Sequence, residues 1–291
     1  MSASISRPPD VMSAPARRRI RWGVIALNLA GALLLVGGSL FPVVYMLLTS
    51  LKPDSILLAQ PPRFLFLPEL HNYAKLLIED DFARYYWNSI QIAAMSTAIA
   101  VMVGSMMAFA FLRGAVPARR TLFFLILLPK SFPPVTTIIP IFIAVRTLGM
   151  MDQIITLVIF EAAVRLPLVV WVMRSFLRSV PAELVEAALL DGCSLVGAFF
   201  RVVLPLAAPG MGAVAIICFI DTWNAFLVPL VLTNFNAVTA PVALMSYAET
   251  EEQLVWGVIA AGGFLTILPI LFFALVLHRY LLSGLTAGAI K

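Results

Sequence analysis

The sequence predicts an all-α membrane protein, a polytopic bundle of six transmembrane helices. Its 291 residues are 62% hydrophobic and only 12% charged, and the mean hydropathy is +1.00. A soluble globule of this size could not bury so much apolar surface. Helices are expected because an isolated strand cannot satisfy its backbone polar groups in lipid, and about 20 helical residues cross the hydrocarbon. Six apolar runs reach this length, near residues 22–48, 88–112, 121–145, 153–175, 208–232 and 255–281.

The first run and the distribution of Lys and Arg predict the orientation of the chain. The run from Trp22 to Leu48 follows a basic stretch that could be misread as a secretory signal. It exceeds the roughly 7–15 residues of a signal core and lacks a small-x-small cleavage site, so we expect a retained span. With the N-terminus inside, 13 Lys and Arg lie on the cytoplasmic side and five on the opposite side. Because positive residues favour the cytoplasmic side, both termini are predicted to be cytoplasmic.

Composition and motifs argue against several function classes. The formal net charge of +5 does not indicate nucleic-acid binding, because the basic residues are spread over the ends of apolar spans. Cys193 and Cys218 do not resemble a disulfide framework, and the sequence has no metal-binding spacing, no GxSxG and no phosphate-cradling GxxxxGK[ST]. The chain is therefore predicted to be neither an enzyme nor an ATPase, and to carry no metal or cofactor of its own.

The third apolar run is interrupted by four prolines and a lysine. Proline removes a helical hydrogen bond, and broken backbone at membrane depth is tolerated where neighbouring helices or a wet cavity satisfy the freed groups. We therefore expect this span to be irregular and to border other helices or water. The residues concerned are Pro129, Lys130, Pro133, Pro134 and Pro140.

Charged and polar residues also occur in the fourth and fifth runs. Glu161 and Arg165 are four residues apart, so they can neutralise each other on one helix face, and a structural pair is favoured over a ligand site. An uncompensated charge at mid-bilayer is costly, so Asp221 should face the bundle interior, a partner or water. Trp223 and Asn224 could pack between helices as readily as they could contact a substrate. The candidates for a substrate pathway are Lys130, Asp221, Trp223 and Asn224.

The longest predicted cytoplasmic loop, residues 176–207, contains an amphipathic segment. Pro181 suits the first turn of a helix reading PAELVEAALLD, and Gly192 can end that helix because glycine adopts the left-handed conformation at low cost. Ser194 is a candidate N-cap for a second short helix, which Leu204-Pro205 is expected to end. The expected product is a helix–glycine–helix knob, stiff enough to transmit a rigid-body push.

The spacing of this segment resembles the EAA loop of ABC importer permeases. Glu186-Ala187-Ala188, Gly192 and Leu204-Pro205 stand at the spacing of that family, while Val202 replaces the commoner isoleucine. Four further stretches are similar to the MalG-like branch of carbohydrate importers. The resemblance covers most of residues 40–291, and the first 20 residues match nothing usable. The four stretches are SLKP at 50–53, NS at 88–89, WNAFLVPL at 223–230 and GLTAGAIK at 284–291.

The resemblance implies the type I ABC importer permease fold, also called MetI-like. A basic cytoplasmic tail would span residues 1–21, a permease domain 22–283 with its core near 88–281, and a cytoplasmic C-terminal tail 284–291. In the family the EAA loop is the coupling helix that docks into a cleft of the cytoplasmic ATPase subunit. The residues implied here are Glu186, Ala187, Ala188, Asp191, Gly192, Leu204 and Pro205.

Two further contacts follow from the resemblance. In maltose-type relatives the C-terminal tail inserts between the two ATPase subunits; a frayed end is the simpler alternative. The loop between the fifth and sixth spans, 233–254, can reach towards the sugar site of the docked binding protein, or it can be a mere connection. The implied tail residues are Gly284, Leu285, Thr286, Ala287, Gly288 and Lys291, and the implied loop residues are Thr239, Pro241, Met245 and Tyr247.

The resemblance also implies a function. The chain is expected to be the permease subunit of an ATP-driven, binding-protein-dependent importer of sugars or sugar derivatives in a bacterial or archaeal cytoplasmic membrane. Its partners would be a second, MalF-like permease, two ATPase subunits that hold ATP and magnesium, an extracytoplasmic sugar-binding protein and membrane lipid. The alternative is a secondary transporter driven by an ion gradient, with Asp221, Glu161 and Lys130 as relay groups. Against it, the halves show no inverted repeat and the knob would have no role.

Overall fold

The computed structural model describes residues 14–57, 59–113, 117–249 and 256–289, with side chains for most of residues 25–275, and these residues form helices joined by loops. Residues 1–13 of the predicted basic tail lie outside the described residues. The helices are α1 Ala14–Ser50, α2 Asp54–Leu57, α3 His71–Ala74 followed by a π turn Lys75–Glu79, α4 Phe82–Arg113, α5 Arg119–Leu127 followed by a 3₁₀ turn Leu128–Ser131, α6 Pro134–Thr147, α7 Ile154–Arg178, α8 Ala182–Leu190, α9 Leu195–Ala198 followed by a π turn Phe199–Val203, α10 Leu204–Trp223, α11 Leu227–Leu232, α12 Ala240–Glu249 and α13 Trp256–Ala289.

Five helical segments in the described residues are long and apolar enough to cross a membrane: Leu27–Ser50, Phe82–Arg113, Ile154–Arg178, Leu195–Trp223 and Trp256–Phe273. A sixth crossing exists if α5 and α6 form one broken span, because Thr121–Ser131 and Val135–Thr147 meet at 102°. The break lies at the prolines of the third run, as the sequence predicts. Proline at the start of α6 lacks the N–H that would continue the hydrogen-bond ladder.

The fifth predicted span differs from its expected bounds of 208–232. Leu204-Pro205 does not end the short second helix, because α9, the π turn and α10 run on as one helical segment from Leu195 to Trp223. The π turn Phe199–Val203 lies just before the proline, and its wider winding lets the backbone accommodate the missing N–H. The segment ends at Trp223, and the next residue, Asn224, caps it: the Asn224 Nδ2 donates to the Ile220 carbonyl at 2.8 Å. The helix α11 then starts separately.

The core is centred on the pairing of α4 with α7, against which α10 packs. A Cβ on Gly104 of α4 would lie 2.6 Å from Cγ1 and 2.8 Å from Cβ of Val169 on α7. Only glycine permits this separation, because real side-chain carbons do not approach so closely. The α4–α7 pair therefore forms a closely packed centre, while α1 contacts mainly α13 and leaves most of its surface exposed.

Candidate coupling knob and transport pathway

The knob, residues 182–203, has the helix–glycine–helix form predicted from the sequence. The helix α8 begins directly after Pro181, and the chain reverses at Gly192, which has a φ of +85°. This left-handed conformation strains residues that carry a Cβ. Ser194 then caps α9, since its Oγ accepts a hydrogen bond from the backbone N of Gly197 at 3.1 Å.

One face of the knob is fixed to the membrane bundle. Val185 and Ala188 of α8 are 1% and 8% exposed, and they belong to the same core cluster as Phe109 near the end of α4. Phe199 is also buried, and its ring lies 5.5 Å from that of Phe109. These close apolar contacts attach the knob to the end of α4.

The other face of the knob is open. Leu190 is 88% exposed and Val196 is 56% exposed, so apolar side chains lie beside carboxylates on this surface. Ala188 is the exception among the expected coupling residues, because it packs inward. The expected residues that are exposed are Glu186, Ala187, Asp191, Gly192 and Pro205, and Leu204 is half-buried.

A cavity of about 670 Å³ lies between the break of the third span, α7 and the start of α11. Its wall is mostly apolar, but Lys130, Glu161 and Arg165 all line it. Arg165 Nη2 lies 2.9 Å from Glu161 Oε2, and both side chains are at least nine-tenths buried. The Arg165 Nε–H is buried without a hydrogen-bond partner among the described residues. The sequence-predicted ion pair is thus real and forms a polar strip in an apolar cavity.

The structure separates the predicted pathway residues. Lys130 lines the cavity, and Asp221 and Asn224 are exposed at the end of α10. Trp223 instead lies in the interior, 2% exposed, and its Nε1 donates to the Thr266 carbonyl at 2.9 Å. The expectation that Trp223 lines a pathway is not met in this conformation, because hydrogen bonding and ring packing bury the whole indole.

At the end opposite the knob, the SLKP stretch forms a buried anchor. Asn72 Nδ2 donates to the carbonyls of Ser50 and Lys52 at 3.0 and 3.3 Å. Lys52 is only 3% exposed, and its Nζ lies 5.6–5.9 Å from the ring centroids of Tyr45, Phe64 and Phe66. Cation–π contacts of this kind stabilise an ammonium group away from water. Asn72 was not predicted, and a lone Asn in an amphipathic stretch gives no signal for it.

The NS stretch holds the loop between α11 and α12. Asn88 Nδ2 donates to the carbonyls of Asn236 and Val238 at 2.9 and 3.0 Å, and Ser89 Oγ accepts from the Ala240 N–H at 2.8 Å. All three bonds are formed by the first turns of α4. The stretch that resembles a family signature therefore has a structural role, the attachment of loop 233–239 to α4.

Asp152, in the turn between α6 and α7, binds the same loop through its carboxylate. Both oxygens accept hydrogen bonds from consecutive backbone N–H groups of residues 234–237 at 2.9–3.2 Å, and Asn236 Nδ2 adds another at 3.1 Å. Partial burial acts to raise the pKa of Asp152, but the four backbone donors outweigh it and hold the pKa below its ordinary value. The stabilisation is therefore complete above that ordinary value and is lost only as the pH falls through the lower, folded-state pKa.

Sequence reasoning missed Asp152. An acid three residues after a glycine, between two apolar runs, indicates a turn. Nothing in the pattern shows which loop, some 80 residues further on, the carboxylate meets.

The stretch expected to reach a binding protein is largely helical, since α12 covers Ala240–Glu249. Thr239 is 4% exposed, whereas Met245 is 43% exposed. Pro241 and Tyr247 are half-buried. Burial and the neighbouring Asp80 carboxylate, which hydrogen-bonds Tyr247, raise the pKa of the phenol.

The C-terminal tail continues α13, whose helical backbone includes residues 284–289. The last expected contact, Lys291, lies outside the described residues. The structure describes the backbone of Gly284, Leu285, Thr286, Ala287 and Gly288, so their contact with the ATPase subunits stays a prediction.

Comparison with known proteins agrees with this architecture. Residues 100–286 match the family described as "Binding-protein-dependent transport system inner membrane component". The trehalose transport system permease protein SugB of Mycobacterium tuberculosis is 36% identical, over 95% of this chain and 99% of that protein. The sulfoquinovosyl glycerol transport system permease protein SmoH of Agrobacterium fabrum is 33% identical, over 90% and 92%.

A solved structure shares the fold. A chain in the crystal structure of a bacterial ABC transporter involved in the import of the acidic polysaccharide alginate superposes with a TM-score of 0.76 at 22% identity, and the match covers 94% of this chain and 99% of that chain. The knob, the helical bundle and these matches lead to one assignment. The chain belongs to the membrane-embedded family of binding-protein-dependent transport inner-membrane components, the permease subunits of ABC importers.

Proposed function

We propose that this chain is one of two permease subunits of an importer for saccharides or saccharide derivatives. Its partners are a second, MalF-like permease, two ATPase subunits and an extracytoplasmic binding protein. ATP and magnesium bind the ATPase subunits, where hydrolysis takes place. The knob end and both termini face the cytoplasm of a bacterial or archaeal cell. The transport systems to which the relatives SugB and SmoH belong support the saccharide class, since trehalose and sulfoquinovosyl glycerol both carry sugar hydroxyls.

The observation that carries the proposal is the continuity of the knob with the fifth span. The segment Leu195–Trp223 contains 29 helical residues, so it extends over roughly 43 Å at about 1.5 Å per residue. Its first turns belong to the knob. Near its far end Asp221 is exposed, three residues before the exposed Asn224. A helix of this kind acts as a lever, because a push on the knob tilts the far end without bending the chain between them.

The cavity supports a transport pathway at that far end. Its walls are mainly apolar, and Lys130 is the exposed cation among its lining residues in the described part of the chain. A small number of fixed polar groups can hydrogen-bond sugar hydroxyls. Because the rest of the wall is apolar, binding stays weak enough for the sugar to be released. Lys130, Asp221 and Asn224 are the residues that we assign to this pathway. The second permease would supply the opposite wall.

The experiment is charge reversal at the exposed glutamate of the knob. Glu186→Lys should leave insertion and assembly intact but lower ATP-driven uptake roughly 5–150-fold, the range of a typical coupling energy, because the ATPase contact is lost. Uptake of labelled trehalose and sulfoquinovosyl glycerol is measured in proteoliposomes, after a thermal-shift screen of the binding protein confirms which saccharide binds. Asp54→Lys, a reversal at an exposed carboxylate of the opposite end, is the control. Normal uptake by Glu186→Lys contradicts docking through the knob.

The alternative considered for the sequence was an ion-gradient transporter with Asp221, Glu161 and Lys130 as relay groups, and membership of the importer permease family argues against it. Glu161 already has a charged partner on its own helix, because Arg165 Nη2 lies 2.9 Å from its carboxylate, as expected for a structural pair. Affinity purification of the full chain from its native membrane separates the two functions. An ATPase that co-purifies supports the importer, and uptake that an ionophore abolishes in the absence of ATP supports the alternative.

A further inference from the structure

The hydrogen bonds around Asp152 form a clamp, defined as its carboxylate and the backbone of residues 234–237. The clamp works in both directions, because the backbone N–H of Asp152 also donates to the Leu232 carbonyl at 2.9 Å. One short turn, between α6 and α7, is thereby attached to the chain at the end of α11. Charge-assisted hydrogen bonds of this kind are among the strongest in proteins.

The clamp joins the helices that line the cavity. Side chains of α6, α7 and α11 form its walls, for example Pro140, Phe160 and Leu227. Below the clamp, Leu157 and Leu232 belong to an apolar cluster in which residues from the same three helices pack together. Apolar contacts are not directional, whereas hydrogen bonds to one carboxylate fix the relative register of the elements they join.

The rest of the loop is attached elsewhere. Asn88 and Ser89 hold residues 236, 238 and 240 to α4, and Arg84 donates to Asn236 Oδ1 at 3.2 Å. The backbone N–H groups of Asn234 and Phe235 donate to the Asp152 carboxylate. The side chain of Phe235 is 78% exposed and contributes little packing of its own. The geometry of the first half of the loop therefore depends on Asp152.

We propose that Asp152 is a positioning residue of the transport pathway, which holds α6, α7 and α11 together at the end opposite the knob so that the cavity wall moves as one rigid body. The inference rests on the proposed function, in which a push on the knob tilts the bundle. The clamp prevents that push from being dissipated as sliding of α11 against α7. In this role Asp152 acts through the loop that it binds.

The test measures a distance across the clamp in the full complex. Spin labels are attached to cysteines introduced by Leu148→Cys and Phe235→Cys, because the native side chains at these positions are 71% and 78% exposed. The native Cys193 and Cys218 are replaced by alanine. We expect the same narrow distance distribution in the nucleotide-free complex and in the complex trapped with ATP and vanadate. A change in the mean distance between the two states overturns the proposal, and this measurement leaves Asp152 unchanged.

The variant is Asp152→Asn, and Asp81→Asn is its matched control. Both residues lie at the same end of the molecule with similar positive φ values, 58° and 53°, but the Asp81 carboxylate is exposed and lies 3.9 Å from the Arg84 guanidinium. Asp152→Asn should roughly double the width of the distribution and speed amide exchange of residues 234–237 about tenfold, as expected for a segment released from its anchor. Asp81→Asn should match the parent. Equal widths and equal exchange in Asp152→Asn and the parent overturn the proposal.

The same preparation distinguishes failure of this inference from failure of the proposed function. If no ATPase co-purifies, the proposed function fails, whatever the spectra show. If the ATPase is present and hydrolyses ATP but the distance across the clamp changes between the two states, only the role of Asp152 fails.

Discussion

Several charged residues in this protein lie wholly or partly away from water, and in each case neighbouring groups compensate the charge. Lys52 is 3% exposed but lies among three aromatic rings, and Asp152 is compensated by backbone donors. Glu161 and Arg165 compensate each other in the cavity wall. In each case the partner is within reach of the charged atom, which is the condition under which an ionised group remains stable away from water.

The ion pair gives a prediction at the scale of the residue. Arg165→Met leaves the Glu161 carboxylate buried without its partner, so the free energy of unfolding should fall by about 3–5 kcal/mol. The double variant Arg165→Met with Glu161→Gln removes both charges and should recover most of the loss. Thermal unfolding of the purified protein in detergent gives the comparison. Equal melting temperatures of the single and double variants would show that the pair contributes no electrostatic stability.

Helices in this bundle are positioned by close contacts and by irregular turns. The π turn Phe199–Val203 allows Pro205 to lie inside a continuous helical segment. The Leu204-Pro205 pair, which was expected to end the helix, therefore does not separate the knob from α10. The prolines of the third span have the opposite effect and produce a bend of 102° that opens one side of the cavity. The neighbouring turn geometry therefore decides whether proline ends a helix.

The α4–α7 contact gives a prediction for this scale. Gly104→Val places side-chain carbons where Val169 already lies, so the two helices must separate, at a cost of about 1–3 kcal/mol. Gly38→Val is the matched control, because a Cβ at Gly38 meets no atom within 4 Å. The melting temperature and the yield of monodisperse protein should fall for Gly104→Val alone. A similar loss in both variants would mean that β-branching, and not crowding, is responsible.

The whole molecule has two specialised ends joined by a packed centre. At one end the knob presents an open face containing Glu186 and Leu190, and at the other the clamp and the NS stretch attach loop 233–239. The long helices α4, α7 and α10 connect them, and the cavity lies along this connection. This arrangement suits a subunit that receives a push at one end and changes access at the other.

The C-terminal tail gives a prediction for the assembled molecule. Deleting residues 284–291 should alter ATPase regulation or assembly more than it alters the affinity for the saccharide, because we propose that the tail lies between the ATPase subunits. ATPase activity of the reconstituted complex is compared with saccharide binding by the binding protein. A variant with eight Gly and Ser residues in place of 284–291 controls for length. Unchanged ATPase behaviour in both variants contradicts insertion of the tail.

Local patterns in the sequence were sufficient to determine the helical fold class, the break in the third span, the reversal at Gly192, the cap at Ser194 and the Glu161–Arg165 pair. Each of these depends on residues fewer than about ten positions apart, and on preferences that hold in any helix or turn. The predicted coupling surface came from the resemblance to the EAA loop, and the pathway candidates came from polar residues within apolar runs; both stay predictions.

The tertiary structure alone decided the burial of Trp223, the continuity of the knob with α10 and the clamp at Asp152. Trp223 meets Thr266, and Asp152 meets residues 234–237, across long stretches of chain. The amphipathic pattern of one segment does not indicate which residues of a distant segment it will contact. Such contacts follow only from the packing of helices against each other, because packing decides which polar groups become neighbours and which lose their access to water.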